Sequence, residues 1–265
     1  MAQGRVSRQG APPRAGQSLH TLYSRRHEEW VAARRRATLV FALWWAPAIV
    51  LVGVLAGVAT HFPAFGLLLI VLSFAAVLDV AVRRPTSLLL VRERAVAESN
   101  TGRALRLVEI RGGATVLHDR MMAGVVNPFE VEHLVVSPRG IFLIDTKHWQ
   151  GGIKMLGADL YLGHSDQAPL FKQLVERARI VGERLTDAAS RDEEVGVVTV
   201  TPVLAIHADG LSGTPRKMQG VVVVTPSQLT SLLRAPDLRW SSGATAHLTE
   251  AAQSLLVRKE AAAAP

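Results

Sequence analysis

Two long apolar runs dominate the hydrophobicity pattern of the first third of the chain. Ala37–Thr60 is a run of 24 residues without a charged side chain, and Ala64–Val82 is a run of 19 residues with one charge, Asp79. A helix needs about 20 apolar residues to cross a hydrocarbon core of about 30 Å, so both runs qualify. The link between them contains Pro63, which breaks helices. The pattern predicts a two-helix transmembrane hairpin over residues 37–84; the alternative is a buried core hairpin of a soluble protein.

From about residue 98 onward the pattern is that of a globular domain. Apolar residues at helical spacing predict helices, and β-rich or nearly continuous apolar segments predict strands. The predicted helices cover residues 101–110, 168–185, 226–233 and 246–258, and the predicted strands cover 114–118, 129–136, 141–146, 152–162, 195–207 and 221–225. Strands with helices before, between and after them indicate an α/β domain of about 170 residues, large enough to have its own core.

The net charge of +8 lies mostly ahead of the first apolar run. The first 36 residues carry eight Arg and two Glu, whereas residues 85–265 carry 20 Lys and Arg against 19 Asp and Glu. Arginines flank the hairpin on both outer sides and the connecting loop has none, which places both termini in the cytoplasm. We therefore expect a multi-pass protein of the cell (inner) membrane, with lipid contacts through residues 37–84. A transporter or sensor function of the hairpin is poorly supported, because its one acid, Asp79, lies near the interface.

The composition sets further limits on the chain. The 265 residues include no cysteine, which excludes a disulfide scaffold, a thiolate metal site and a cysteine nucleophile. Residues 1–24 are rich in Gly, Pro, Ser, Arg and Gln, and this composition predicts disorder. The predicted organisation is a basic, largely disordered cytoplasmic N-terminus (1–36), the transmembrane hairpin (37–84), a linker (85–99), the globular domain (100–257) and a disordered tail (258–265).

The hairpin around the turn Ser137–Gly140 is predicted to bring charged residues together. If the two end residues of this turn face each other, the strand register places Glu132 directly opposite Asp145, on the same side of the sheet. Lys147 lies two residues beyond Asp145 and shares that side. Like charges opposed across a strand pair are destabilising. We therefore expect a divalent cation, the Lys147 ammonium or both to compensate the two acids.

These residue types suit metal-dependent phosphate chemistry. Two carboxylates and a backbone carbonyl, that of Thr146, suit a hard cation such as Mg²⁺ or Mn²⁺. Such a metal can lower the pKa of a bound water and stabilise a pentavalent phosphate. Lys147 could position or deprotonate that water, or neutralise developing charge. An acid on one strand and Asp-x-Lys on its hairpin partner is the arrangement of the PD-(D/E)xK nucleases. The alternative is a surface salt bridge between Lys147 and an acid at the strand end.

The segment Val116–Ile153 resembles the nuclease-related domain (NERD) family. The resemblance is carried by an acid-His-hydrophobic strand, a Ser-Pro-x-Gly turn and an apolar strand that ends in Asp-x-Lys, within the sequence VLHDRMMAGVVNPFEVEHLVVSPRGIFLIDTKHWQGGI. It extends over about residues 100–257. It implies a restriction-endonuclease-like α/β fold, with a mixed sheet flanked by helices, here preceded by the two-helix transmembrane hairpin. It also implies a phosphodiesterase that acts on DNA or RNA.

The resemblance also implies roles for particular residues. Asp145 and Lys147 fall on the family's acid-x-Lys, and Glu132 falls where most members have Asp before the His. Gln173 falls on a helix glutamine for which the resemblance implies contact with the substrate or the metal site. Arg103 departs from the pattern, since the family usually has Glu at this place. The implied alternatives are a metal-dependent nuclease that uses these four site residues, and a degenerate nuclease fold that binds nucleic acid or protein at the membrane without cutting.

Overall fold

The computed structural model describes residues 15–82, 85–190, 194–208, 211, 215–234 and 238–259. The chain divides into a helical unit, His20–Arg92, and an α/β unit, which consists of Glu93–Pro265 together with Met1–Leu19. A π-helical turn, Phe41–Trp45, joins the first two α-helices. The α-helices are α1 (Gln17–Val40), α2 (Ala46–Ala59), α3 (Pro63–Val82), α4 (Thr86–Gly112), α5 (Ala168–Ala189), α6 (Pro226–Leu232) and α7 (Ser242–Leu255).

Helices α2 and α3 of the helical unit pack closely through glycine. A Cβ atom on Gly66 would lie 2.2 Å from the carbonyl oxygen of Gly53, and one on Gly53 would lie 2.4 Å from Ile70 Cγ1. Such close backbone approach at small residues is typical of helix pairs in membranes. The outer surface of the π-helical turn, α2 and α3 is apolar, and its more than half-exposed side chains include Leu43, Trp44, Leu51, Leu55, Leu67, Leu72 and Leu78.

One helical run in the described part of the chain is long and apolar enough to cross a membrane. It extends over Gln17–Ala59 and so joins α1, the π-helical turn and α2. The apolar part of α3, Pro63–Asp79, is shorter. By length and composition, the first predicted span therefore lies in a candidate membrane helix, and the second lies in a shorter apolar helix.

The helices at the amino end extend further than the sequence pattern predicts. Helix α1 begins at Gln17, so the disorder predicted for residues 1–24 is wrong for residues 17–24. The predicted linker, 85–99, is almost entirely helical as the first half of α4. Residues 1–14, the flanking Arg83 and Arg84, and the end of the tail, 260–265, lie outside the described residues.

The α/β unit is built on a seven-stranded mixed sheet with the strand order β10-β1-β2-β3-β7-β9-β8. Strands β3, β7 and β9 are parallel neighbours, and the other neighbouring strands are antiparallel. A separate small sheet contains β4, β5 and β6. The strands are β1 (Thr115–Met122), β2 (Phe129–Ser137), β3 (Gly140–His148), β4 (Ile153–Leu156), β5 (Asp159–Leu162), β6 (Ser165–Asp166), β7 (Val200–His207), β8 (Arg216–Met218), β9 (Val221–Val224) and β10 (Leu256–Arg258). The predicted mixed α/β fold is confirmed.

Helices cover both faces of the seven-stranded sheet. On one face, Leu134 and Leu143 pack in a cluster with side chains of α5 and α7. On the other face, Ile144 packs in a cluster with Leu105 of α4 and Leu229 of α6. Strand β3 is therefore buried on both sides, which explains its continuous apolar run, since a strand between two helical layers has no polar face. The charged residues that follow this run lie where β3 leaves the core.

A short segment at the start of the described chain, Ala15–Ser18, docks on α4 and β1 within the α/β unit, and we call it the strap. The Gly16 N–H donates a hydrogen bond to Glu98 Oε1 at 3.1 Å. The N–H and the hydroxyl of Ser18 donate to the two carboxylate oxygens of Asp119 at 3.2 and 3.0 Å. Because the first amides of a helix have no partner inside it, Asp119 caps the start of α1 from outside.

The strap covers two buried acids of the α/β unit. Glu98 is 3% exposed and Asp119 is 4% exposed. Burial, with a further contribution from the charge of Asp119, raises the pKa of Glu98 to about 8. Burial also raises the pKa of Asp119, and its hydrogen bonds from Ser18 oppose that rise. The strap therefore supplies hydrogen bonds that these two acids need in a site removed from water.

Gly102→Ala tests the docking of the strap, because a Cβ atom at Gly102 would lie 2.2 Å from Ala15 Cβ. We expect the substitution to displace the strap and to cost about 1–3 kcal/mol of stability. Hydrogen exchange at the Gly16 and Ser18 amides should become faster. The matched control is Gly112→Ala in the same helix, where the new Cβ would lie 3.5 Å from Val108 Cγ1. Equal protection of the strap amides in both variants would contradict this account.

Candidate functional site

The β2–β3 hairpin has the register that the sequence predicts near its turn. Val136 pairs with Ile141, and Leu134 pairs with Leu143. The turn is closed by the Ser137 hydroxyl, which donates a hydrogen bond to the Gly140 carbonyl at 2.9 Å. The regular β2–β3 pairing ends at His133 and Ile144, one residue before the predicted pair of acids.

Beyond this pair the regular pairing of β2 with β3 ends, and the Glu132 side chain accepts a hydrogen bond from the backbone of β3 instead. Glu132 Oε2 accepts a hydrogen bond from the Thr146 N–H at 2.7 Å. Lys147 Nζ forms an ion pair with Asp145 Oδ2 and lies 3.9 Å from Glu132 Oε1. The structure thus brings Glu132, Asp145 and Lys147 together, on one side of the sheet as the register requires. The Lys147 side chain is 23% exposed, so the group is accessible from solvent at the lysine.

The electrostatics of this group are dominated by burial. Burial raises the pKa of Glu132 well above its usual range, and the charge of Asp145 raises it further. Lys147 and the hydrogen bond from the Thr146 N–H act in the opposite direction. One ammonium therefore compensates two buried carboxyl groups incompletely, and the position favours an additional proton or cation.

The oxygen atoms of this group fit a divalent cation such as Mg²⁺. Magnesium is commonly held by one or two protein carboxylates, while waters and substrate phosphates complete its coordination. Glu132 and Asp145 supply two such carboxylates. No group of three His, Asp or Glu side chains close enough to bind a metal occurs in the part of the chain that the structure describes. The Thr146 carbonyl stays a predicted third ligand; the Thr146 hydroxyl is buried without a hydrogen-bond partner among the described residues.

Gln173 lies on the second turn of α5 and is exposed. Among the described residues it makes no hydrogen bond to Glu132, Asp145 or Lys147. Helix α5 packs on the same sheet face as Leu134 and Leu143. The predicted contact of Gln173 with substrate or metal thus stays a prediction.

The acid that helix α4 directs inward is Glu98, and not a residue at position 103 as the family pattern predicts. Arg103, at the place where the family usually has Glu, is exposed, and its Nη1 donates a hydrogen bond to Asn100 Oδ1 at 3.1 Å. Glu98 is buried instead, and its charge contributes to the raised pKa of Glu132. The family resemblance alone does not identify Glu98, because it places the helix acid at position 103. The buried helix face, which includes Leu105, was the signal that could have identified it.

A second polar group lies on the opposite side of the same strand ends. Thr101 Oγ1 and His207 Nε2 are hydrogen-bonded at 2.9 Å, which links α4 to β7. His148 pairs with His207 in the β3–β7 ladder, and its Nε2 lies 3.5 Å from Glu93 Oε2. Burial and the neighbouring His148 lower the pKa of His207, so its imidazole is neutral near pH 7. These contacts fix α4 against the strands that carry the acidic group.

One comparison with known proteins gives a match. The family model NERD, the nuclease-related domain, matches residues 93–207. The matched segment contains Glu98, the β2–β3 hairpin with Glu132, Asp145 and Lys147, and Gln173. It ends at His207, so the part of the predicted resemblance after this residue is outside the match. No curated protein and no solved structure matches the chain.

Proposed function

Because residues 93–207 match the nuclease-related domain family, we propose that this protein is a metal-dependent nuclease that hydrolyses phosphodiester bonds of DNA or RNA. The observation that carries the proposal is the group of Glu132, Asp145 and Lys147 at the end of a central strand, in which the two acidic side chains are only 11% and 10% exposed. Buried carboxyl groups that share too few positive charges destabilise a fold, and such groups are found preferentially at functional sites.

The proposed chemistry divides the work among the three residues. Glu132 and Asp145 would hold Mg²⁺ or Mn²⁺, which supplies Lewis-acid stabilisation of the phosphate and lowers the pKa of water when bound. Lys147 orients the attacking water and stabilises negative charge that develops on the phosphate oxygens. The water oxygen forms a bond to phosphorus, the bond to the leaving oxygen breaks, and a proton is transferred to that oxygen. Gln173 would contact the substrate.

The helical unit supports anchoring of this nuclease to a membrane. Its outer surface carries many exposed Leu, Val and Trp side chains, and large exposed apolar surfaces mark interaction sites or membrane contacts. The close glycine contacts between α2 and α3 suit a helix pair in lipid. We propose that α2 and α3 span the cell (inner) membrane as a hairpin, with both termini and the α/β unit in the cytoplasm. The arginines of residues 25–36 support this orientation.

A second candidate function is a catalytically inactive module that binds nucleic acid or a protein partner on the membrane. The observation that favours it is Arg103, an exposed cation at the place where the family usually has an acid. A site with two carboxylates held by one lysine can be stable without a metal. Both candidates predict binding, and only the nuclease predicts cleavage.

The experiment that separates them compares Glu132→Gln with Glu176→Gln in the full-length protein in detergent. Glutamine at position 132 keeps an oxygen that can accept the Thr146 N–H and removes the charge, whereas Glu176 is an exposed residue of α5 paired with Arg179. With plasmid DNA and single-stranded DNA and RNA, we expect Mg²⁺- or Mn²⁺-dependent cleavage by the wild type and by Glu176→Gln. Cleavage by Glu132→Gln should be lower by a factor of about 100 or more. Retained binding without cleavage in all three proteins would support the inactive module.

A further inference from the structure

The helical unit contains a cavity of about 850 Å³ between α1 and α3. This is within the range of small-molecule binding sites, about 300–1,000 Å³. Its walls include Trp30, Arg34 and Phe41 from the α1 side and Phe74 and Leu78 from α3. All of its lining residues belong to the helical unit.

The cavity has one polar end and one apolar end. Near one end, the Arg34 guanidinium lies over the Trp30 ring, 5.2 Å from its centroid. Near the other, Phe41 and Phe74 meet edge to face with their ring centroids 5.9 Å apart. Arg34 and Phe41 are seven residues apart, which is about 10 Å along a helix. A ligand that fits this arrangement has an anionic head and an apolar chain.

The three adjacent arginines of α1 are not equivalent. Arg34 lines the cavity and is half-buried, whereas Arg35 and Arg36 are exposed. Tryptophan and arginine are favoured at the boundary between headgroups and acyl chains of a bilayer. A second copy of this chain suits the cavity poorly, because the excess of positive charge in residues 1–36 would repel the same charge on the copy.

We propose that the cavity between α1 and α3 binds an anionic phospholipid, with its phosphate on Arg34 and an acyl chain between Phe41 and Phe74. This inference rests on the membrane placement given under the proposed function. Arg34 makes the cavity selective for anionic over zwitterionic lipid, because a basic residue at the bilayer surface attracts anionic headgroups. This selectivity does not depend on nuclease activity.

Native mass spectrometry of the full-length protein provides the test. The protein is released from nanodiscs that contain equal amounts of phosphatidylglycerol and phosphatidylcholine. We expect the wild type and Arg35→Gln to retain one phosphatidylglycerol, and Arg34→Gln to retain about fivefold less. A second variant, Ala37→Trp, places a large side chain in the cavity without a change in charge, since Ala37 lines it. It should lose the lipid as well.

Equal retention of the two lipids, or equal effects of Arg34→Gln and Arg35→Gln, would overturn the proposed lipid site. A dimer that Ala37→Trp disrupts would show that a second copy fills the cavity instead. Alkaline carbonate extraction of wild-type membranes tests whether α2 and α3 span the membrane. Release of the protein would contradict both the membrane-spanning hairpin and the lipid site. Retention of the protein in the membrane without lipid selectivity would contradict the lipid site and leave the membrane-spanning hairpin supported.

Discussion

Asp145→Asn should reduce metal-dependent cleavage by a factor of about 100 to 1,000, because it removes one of the two charges that hold the cation. The same substitution should leave the α/β unit equally stable or up to about 2 kcal/mol more stable. The reason is that Lys147 contacts both acids in the wild type. In the variant, Lys147 and Glu132 form a pair of equal and opposite charges, and the repulsion that raises the pKa of Glu132 is removed.

The measurement combines cleavage rates with hydrogen exchange of the core amides of β2 and β3, which reports the stability of the sheet. Asp187→Asn is the matched control, because Asp187 is exposed on α5; both quantities should stay at the wild-type level. A loss of activity together with a loss of several kcal/mol would mean that Asp145 has a structural role. An unchanged rate would remove Asp145 from the proposed active site.

Lys147→Met should have the largest effect on stability. It leaves two buried carboxyl groups without their cation, and removal of one partner of a buried ion pair typically costs about 3–5 kcal/mol. The Thr146 N–H still donates to Glu132, but a neutral donor compensates a charge only in part. Lys172→Met is the matched control, since Lys172 is exposed on α5, and its effect should be within about 0.5 kcal/mol.

The pH dependence of the stability of Lys147→Met tests whether the loss comes from the uncompensated carboxyl groups. Burial and Asp145 raise the pKa of Glu132 above its ordinary value of 4.5. A carboxyl group with a raised pKa in the folded state favours folding fully at pH values below 4.5, and this contribution is lost as the pH rises through the folded-state pKa. Without Lys147 the loss is larger. The variant should therefore approach wild-type stability as the pH falls to 4.5 and become progressively less stable than the wild type as the pH rises from 4.5 to 8. A difference that is constant over this interval would point to lost packing of the lysine stem instead.

The core of the hairpin could be predicted from the sequence because local signals specify it. The turn at Ser137–Gly140 and the apolar residues on both sides leave one register in which all apolar side chains are buried. That register also brings Glu132, Asp145 and Lys147 to the same side of the sheet. The end of the regular pairing at His133, after which the Glu132 side chain accepts the Thr146 N–H, could not be predicted. The energy of this hydrogen bond depends on how deeply the strand end is buried.

Other features lack a local signal. The first half of α4 has mixed polar and apolar residues without a clear helical stripe, and its length was therefore underestimated. Strand β10 is three residues long and directly follows α7, so the pattern predicts one continuous helix. The strap depends on the contact between Gly16 and Glu98, which are 82 residues apart, and composition alone predicts disorder there. The predicted contact of Gln173 with the substrate can be tested in the same cleavage assay.

The strap means that the α/β unit is discontinuous in sequence. A fragment that begins at Glu93 would lack Ala15–Leu19, and Glu98 and Asp119 would then face water or each other. An expression fragment without the helical unit should therefore keep both pieces, with a flexible linker from Leu19 to Glu93 in place of the deleted helices.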